Sequence, residues 1–249
     1  MTDRVCLTVD VEDWYDGMEV LGAVVDRPRR PRSGLSGLTA LLASAGGSPT
    51  VTLFVVGGYA TTVRTELEQL AAGGHEIASH GPDHGRLPDD PAALLEWLRR
   101  GREMIEDVVQ RPVRGFRSPR FDIPEPVGLD RFRQLLAEAG FTYVSDTRRL
   151  GDRSPLTELP VLTAGRVPIG GGSYQRLLPS ATVDAAVRRA DAPAVLYYHS
   201  YDFGATLPAV RSIRSPAVAK QLVGRGRVAG LFSHILQRYG SEACSHVQR

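Results

Sequence analysis

Val5-Cys6-Leu7-Thr8-Val9-Asp10-Val11-Glu12-Asp13-Trp14 is an apolar, β-branched run that ends abruptly in acids. A strand covered on both faces reads as a near-continuous apolar run, and in a parallel sheet it delivers polar residues to a loop at its carboxyl end. Outward from this stretch, residues 50–56 form a second run of the same kind. Residues 76–79 form a shorter one followed by histidines, and residues 142–145 and 194–199 are further candidates. Between them lie helical patterns at 35–44, 60–72, 91–110, 129–139 and 183–190. Pro91 followed by Ala92, Ala93, Leu94 and Leu95 suits a helix start, because proline is tolerated in the first turn. Strands alternating with helices predict a parallel sheet or barrel. The fold class expected is α/β, a distorted, incompletely closed (β/α) barrel of about seven parallel strands.

The chain of 249 residues is long enough for one large core, so residues 1–249 are expected to form a single domain. A hydrophobic share of 42% and a charged share of 23% are ordinary for a globular protein. A net charge of +2 argues against a nucleic-acid partner. The basic side is almost all arginine, with Lys220 the single lysine. Cys6 and Cys244 make neither a disulfide framework nor a thiolate metal site, and Cys6, within an apolar run, is expected to be a buried thiol. Met1-Thr2-Asp3-Arg4 leads directly into the first strand, without a leader pattern, and no stretch is long enough to span a membrane. The expected location is cytoplasmic. Residues 27–32, rich in Pro and Arg, and Gly170-Gly171-Gly172 read as loops, and the chain from about Ser241 is expected to fray.

Four clusters offer chemistry. Asp10, Glu12 and Asp13 follow the first strand, and there one carboxylate can act as a base and another as a metal ligand; a solvated, helix-capping loop has the same composition. His80-Gly81-Pro82-Asp83-His84 sets two imidazoles four residues apart, and Gly81-Pro82 favours a tight loop over a helix. His75 and His80 do not make a metalloprotease helix, because one residue too many separates them. Arg117, in Gly115-Phe116-Arg117-Ser118-Pro119, is able to hold a carboxylate bidentately or to sit on a surface turn. His199 ends the Ala194-Val195-Leu196 strand, where it suits acid–base work or a structural hydrogen bond.

Taken together, the order of these clusters resembles the polysaccharide deacetylase family, carbohydrate esterase family 4, with its nodulation-type deacetylase domain. Gly74-His75-Glu76-Ile77-Ala78-Ser79-His80-Gly81 is similar to that family's second motif, and Thr52-Leu53-Phe54-Val55-Val56-Gly57 to one of its strands. Val9 to Trp14, Gly170 to Pro179 and His199-Ser200-Tyr201-Asp202-Phe203 resemble the branch associated with bacterial exopolysaccharide loci. The resemblance implies that Asp10 is the catalytic base, that His80 and His84 bind the metal, that Arg117 orients the base and that His199 protonates the leaving amine. It departs at Val11, where the common motif has a second aspartate as ligand. Asp-x-Asp relatives place the ligand one position later, which points to Glu12, with Asp13 as the fallback. It departs again at Val144, where many members have an aspartate before serine.

The activity implied is hydrolysis of an N-acyl amide, foremost N-acetyl, on an amino sugar, with a divalent cofactor, zinc first and cobalt or nickel also suited. With no export pattern, the substrates expected are a nucleotide sugar, a lipid-linked sugar, a small aminosugar metabolite or an oligosaccharide. Deformylation or cyclic-amide opening is adjacent chemistry. A non-catalytic carbohydrate-binding protein of the same fold is the rival from another class.

Overall fold

The computed structural model describes residues 4–15, 24–25, 34–147, 154–165, 167–204, 210–212 and 216–247. Among them are nine strands: β1 (Val5–Val11), β2 (Val24–Val25), β3 (Thr52–Val55), β4 (Glu76–Ser79), β5 (Gly115–Phe116), β6 (Tyr143–Val144), β7 (Thr157–Glu158), β8 (Ala194–His199) and β9 (Val210–Ser212). Seven form one sheet in the order β7-β6-β5-β4-β3-β1-β8, and every pairing in it is parallel. β2 and β9 form a separate antiparallel pair.

The sheet curls into a barrel with one irregular seam. The chain runs on from β7 alongside β6 and then meets β8 through isolated parallel bridges, Val161 with Val195 and Gly171 with Tyr197. This is the incompletely closed barrel expected from the strand–helix alternation.

β1 lies in the middle of the sheet and is buried on both faces. Its side chains alternate. Val5, Leu7, Val9 and Val11 pack outward into the large core beneath the helices. Cys6 points the other way, into a smaller interior cluster with Phe54, Ala78, Tyr143 and Val195. By the same alternation, Thr8 and Asp10 share the inner face with Cys6.

The helix at Leu35–Ser44 falls where the pattern places it. The expected helix at 60–72 is instead two pieces, Gly57–Ala60 and Arg64–Ala72. Pro91–Val109 starts with Asp90 Oδ1 accepting from the Ala93 N–H at 2.9 Å, and ends at Gln110 in a left-handed conformation. Helices at Leu129–Glu138 and Ser180–Arg188 complete the expected set.

Two expectations are corrected. Gly170-Gly171-Gly172 is part of the barrel seam and runs into a helical turn, Gly172–Gln175. A Cβ at Gly171 would lie 2.8 Å from the Tyr197 ring, so the absence of side chains is what lets this segment lie against β8. Residues 241–247 are not frayed. The Ser241 hydroxyl accepts from the Leu7 N–H at 3.0 Å, the Glu242 N–H donates to Val5 O at 3.0 Å, and Cys244–Val247 forms a 3-10 turn. Residues 27–32 lie outside the described residues. Among the described residues, no helix is long and apolar enough to cross a membrane.

Candidate active site

The register of the sheet brings the four clusters to one mouth. Asp10 pairs across the ladder with His199 of β8 on one side and with Phe54 of β3 on the other. His80 follows β4 directly, and the Arg117 N–H, just past β5, donates to Ser79 O at 3.0 Å. All four positions are carboxyl ends of parallel strands, where chemistry gathers in this architecture.

Glu12 stands just past β1, on the same face as Asp10. Its Oε2 is 2.7 Å from His84 Nε2 and 3.9 Å from His80 Nε2. One ligand atom from each of Glu12, His80 and His84 lies within 4.8 Å of the others, and all three residues are buried. Val11 belongs to the outer core, so its side chain is directed away from this cluster. The fallback, Asp13, is engaged locally, accepting from the Tyr15 N–H at 3.0 Å.

The histidines are oriented for ligation. His80 Nδ1 lies 2.9 Å from Arg117 O, and because a carbonyl only accepts, the proton sits on Nδ1 and the Nε2 lone pair faces the cluster. Burial pulls the His80 pKa down to about 4, against the pull of the Asp10 and Glu12 carboxylates, so its ring is neutral near pH 7. His84 is pushed down by burial, but Glu12 outweighs this and raises it. Burial pushes the Glu12 carboxyl up, yet the surrounding histidines, His84 foremost, hold it at about 2. A buried anionic carboxylate with two imidazole nitrogens in reach fits a borderline divalent ion.

Arg117, fully buried, donates from NH1 to Asp10 Oδ1 at 2.7 Å and from NH2 to Ser145 Oγ at 2.8 Å. Its guanidinium lies 4.1 Å from the Phe54 ring centroid. Ser145 therefore supplies the support that Val144, buried in the outer core, does not. Arg120 and Phe121 follow with φ of 57° and 55°, a left-handed pair of non-glycine residues; such strain collects at functional sites. The pair delivers the Phe121 ring to 5.2 Å from Tyr197.

His199 Nε2 lies 3.9 Å from Glu12 Oε1, and Nδ1 lies 3.6 Å from Asp202 Oδ2. Its ring stacks on Tyr201 at 4.8 Å. Burial pushes the His199 pKa down, but Asp202 and then Glu12 raise it to about 9, so the ring carries a proton at neutral pH. Asp202 is itself buried and paired with fully buried Arg176 at 3.3 Å, with Arg225 Nε at 3.9 Å. Asp202, Ser145 and Arg176 went unread in the sequence as site residues. Asp202 had a local signal, its position three residues after His199, while the other two meet the site only through tertiary packing.

Residues 39–144 match the polysaccharide deacetylase family model, and residues 137–248 match the model of a domain of unknown function (DUF3473). The match over residues 39–144 is to the same family that the motif order resembles. No curated protein gives a significant match. Three solved structures share the fold. A candidate polysaccharide deacetylase from Mycobacterium smegmatis is 20% identical with a TM-score of 0.62, over 99% of this chain and 90% of that one. The family 4 carbohydrate esterase from Streptomyces lividans, in complex with acetate, is 16% identical with a TM-score of 0.52, over 96% and 97%. A carbohydrate esterase family 4 pseudoenzyme from Bacillus anthracis is 12% identical with a TM-score of 0.57, over 100% and 66%. At these identities the likeness is one of fold.

Proposed function

We propose that this chain is a metal-dependent N-deacetylase of amino sugars, hydrolysing an N-acetyl amide to acetate and a free amine. The observation that carries the reading is the Glu12, His80 and His84 cluster, with the Asp10–Arg117 and His199–Asp202 pairs beside it. Glu12, His80 and His84 would hold a divalent ion, zinc first with cobalt or nickel as alternatives, which when bound supplies Lewis acidity toward the amide carbonyl and lowers the pKa of water.

Asp10 takes the proton of the attacking water, held in place by Arg117, which Ser145 and the Phe54 ring fix in turn. His199, protonated through Asp202, stands 3.9 Å from Glu12 Oε1 and gives its proton to the leaving nitrogen. The two roles need opposite protonation states, and the surroundings differ accordingly: a guanidinium beside the base and a carboxylate beside the acid. The single-domain reading of residues 1–249 is part of this proposal, supported by one sheet running through both matched ranges. So are a cytoplasmic setting and membership of the branch linked to exopolysaccharide loci. In that setting the substrates in view are nucleotide sugars, lipid-linked sugars, oligosaccharides and small aminosugar metabolites.

The non-catalytic reading has a specific observation behind it, the pseudoenzyme that shares the fold, of which a mutant is described as having restored enzymatic activity. Acetate release, measured on the metal-loaded protein across N-acetylated sugars, nucleotide sugars and oligosaccharides, decides between them. Turnover abolished by Asp10→Asn supports the deacetylase. Binding of the same sugars without turnover under any metal supports the carbohydrate-binding protein, and formate release from N-formyl analogues alone would make the acyl group formyl.

A further inference from the structure

At the end of β1 opposite to Asp10 and Glu12, the sequence's two cysteines meet. Cys6 and Cys244 are both free, both wholly buried and members of one interior cluster, although they are far apart in the sequence. Their approach is set by backbone on both sides of Cys6. Val5 O accepts from the Glu242 N–H at 3.0 Å, and the Leu7 N–H donates to Ser241 Oγ at 3.0 Å. The Cys244 N–H donates to Thr52 Oγ1 on the neighbouring strand β3, at 2.8 Å. Cys6 projects to the inner face, and the 3-10 turn carrying Cys244 closes that face from below. The two cysteines share one buried cluster, and the neighbouring Cys244 followed by burial raises the Cys6 thiol well above its ordinary range.

We propose that Cys6 and Cys244 are a thiol–disulfide pair, which an external disulfide oxidises to a cystine that locks the 241–247 turn onto β1. Buried, protonated thiols are poor nucleophiles, so the pair rests reduced and reacts only when the turn opens. Opening frees Cys244, while Cys6 stays on a central strand. The Cys244 thiolate attacks a small-molecule disulfide such as oxidised glutathione, forming a mixed disulfide and releasing one glutathione thiolate. On reclosure the Cys6 thiolate attacks the Cys244 sulfur, the mixed disulfide breaks, and the second glutathione leaves as thiolate. Two protein thiols lose two electrons and two protons, and one glutathione disulfide gains them. A cross-link closing nearly the whole chain into a loop restricts the unfolded ensemble strongly. The proposal stands apart from the deacetylase reading, since it uses none of the site residues.

The test uses the full chain, reduced and then incubated with oxidised glutathione at urea concentrations below its unfolding transition. The expected product is a monomer lighter by two hydrogen atoms, with Cys6 and Cys244 in one cross-linked peptide. Its formation should quicken as urea favours opening. Its thermal midpoint should rise by several degrees, and dithiothreitol should reverse the rise. Cys244→Ser should form no intramolecular cross-link; should that variant not fold, the peptide map of the unsubstituted chain decides alone. Two thiols still titratable on denaturation, or stable glutathione adducts at either cysteine without a cross-link, would overturn the proposal.

Discussion

Asp10 and Glu12 share one face of β1 because strand side chains alternate with a period of two, and the same alternation sends Val11 into the outer core. The same alternation accounts for Glu12, which the family resemblance favours as ligand, lying near His80 and His84, while Asp13 falls on the other side and accepts from the Tyr15 N–H. Metal content separates the residues. Glu12→Ala and His80→Ala should each abolish stoichiometric binding, Asp13→Ala should leave it intact, and loss of metal in Asp13→Ala alone would move the ligand there. Asp10→Asn should keep the metal and lose about 10²–10⁴-fold in amide hydrolysis, the usual worth of a general base. Wild-type turnover by that variant would remove Asp10 from the mechanism. The pH dependence follows from His199. Its folded pKa of about 9 lies above the unfolded value of about 6.5. Its charge thus stabilises the fold fully below pH ~6.5, and the contribution is lost as pH rises through about 9. Activity should fall over the same alkaline limb. Asp202→Asn should move that limb to lower pH without removing the metal, as NMR titration of His199 and a pH–rate profile will show. An unmoved limb would mean that Asp202 does not set the acid.

At the scale of elements, the long amphipathic helices and the long strands were readable because each repeats its pattern often enough to be seen. Pro91–Val109 and Ala194–His199 are the clearest cases. β5 and β7 have two residues each, too few for any period, and exist because neighbouring strands offer them partners. The glycine triplet misled for a related reason. Gly-Gly-Gly is usually read as loop, yet here it substitutes for a strand at the seam, which requires backbone to approach the β8 side chains directly. A methyl added at Gly170 would lie 2.7 Å from Val195 O, and one at Gly171 would lie 2.8 Å from the Tyr197 ring. Gly171→Ala should therefore cost about 1–3 kcal/mol, in the range of overpacked cores. Denaturant unfolding checks this, with Gly46→Ala as the control, since a Cβ at Gly46 meets nothing within 4 Å. Equal stabilities for the two variants would show that the seam yields without strain.

Considered as a whole molecule, the barrel puts its chemistry at one end and closes its interior at the other with residues 241–247. Ser241-Glu242-Ala243-Cys244-Ser245-His246-Val247 has no periodicity and mixed polarity, which is why it reads as a frayed end. Its order comes from what it meets. The Ala243 and Cys244 N–H groups donate to Thr50 and Thr52 hydroxyls at 2.9 and 2.8 Å, and the Ser245 N–H donates to Glu76 Oε2 at 3.0 Å. Ala243, Cys244 and Val247 are buried against the interior. Burying one valine is worth about 1.5–3 kcal/mol, and each net hydrogen bond about 1 kcal/mol. Ending the chain after Gly240 should then lower stability by about 4 kcal/mol or more, and the melting temperature by on the order of 10 °C, at 2–4 °C per kcal/mol for a chain of this size. Glu12, His80 and His84 sit at the far end of the strands, so the truncated protein, kept below its new midpoint, should still bind one divalent ion. Calorimetry and metal analysis on the same sample read both. An unchanged melting temperature would mean that the turn rests on the barrel without closing it. A lowered one with metal lost well below the midpoint would mean that the two ends of β1 are coupled, and that the floor of the barrel helps to hold Glu12 in place.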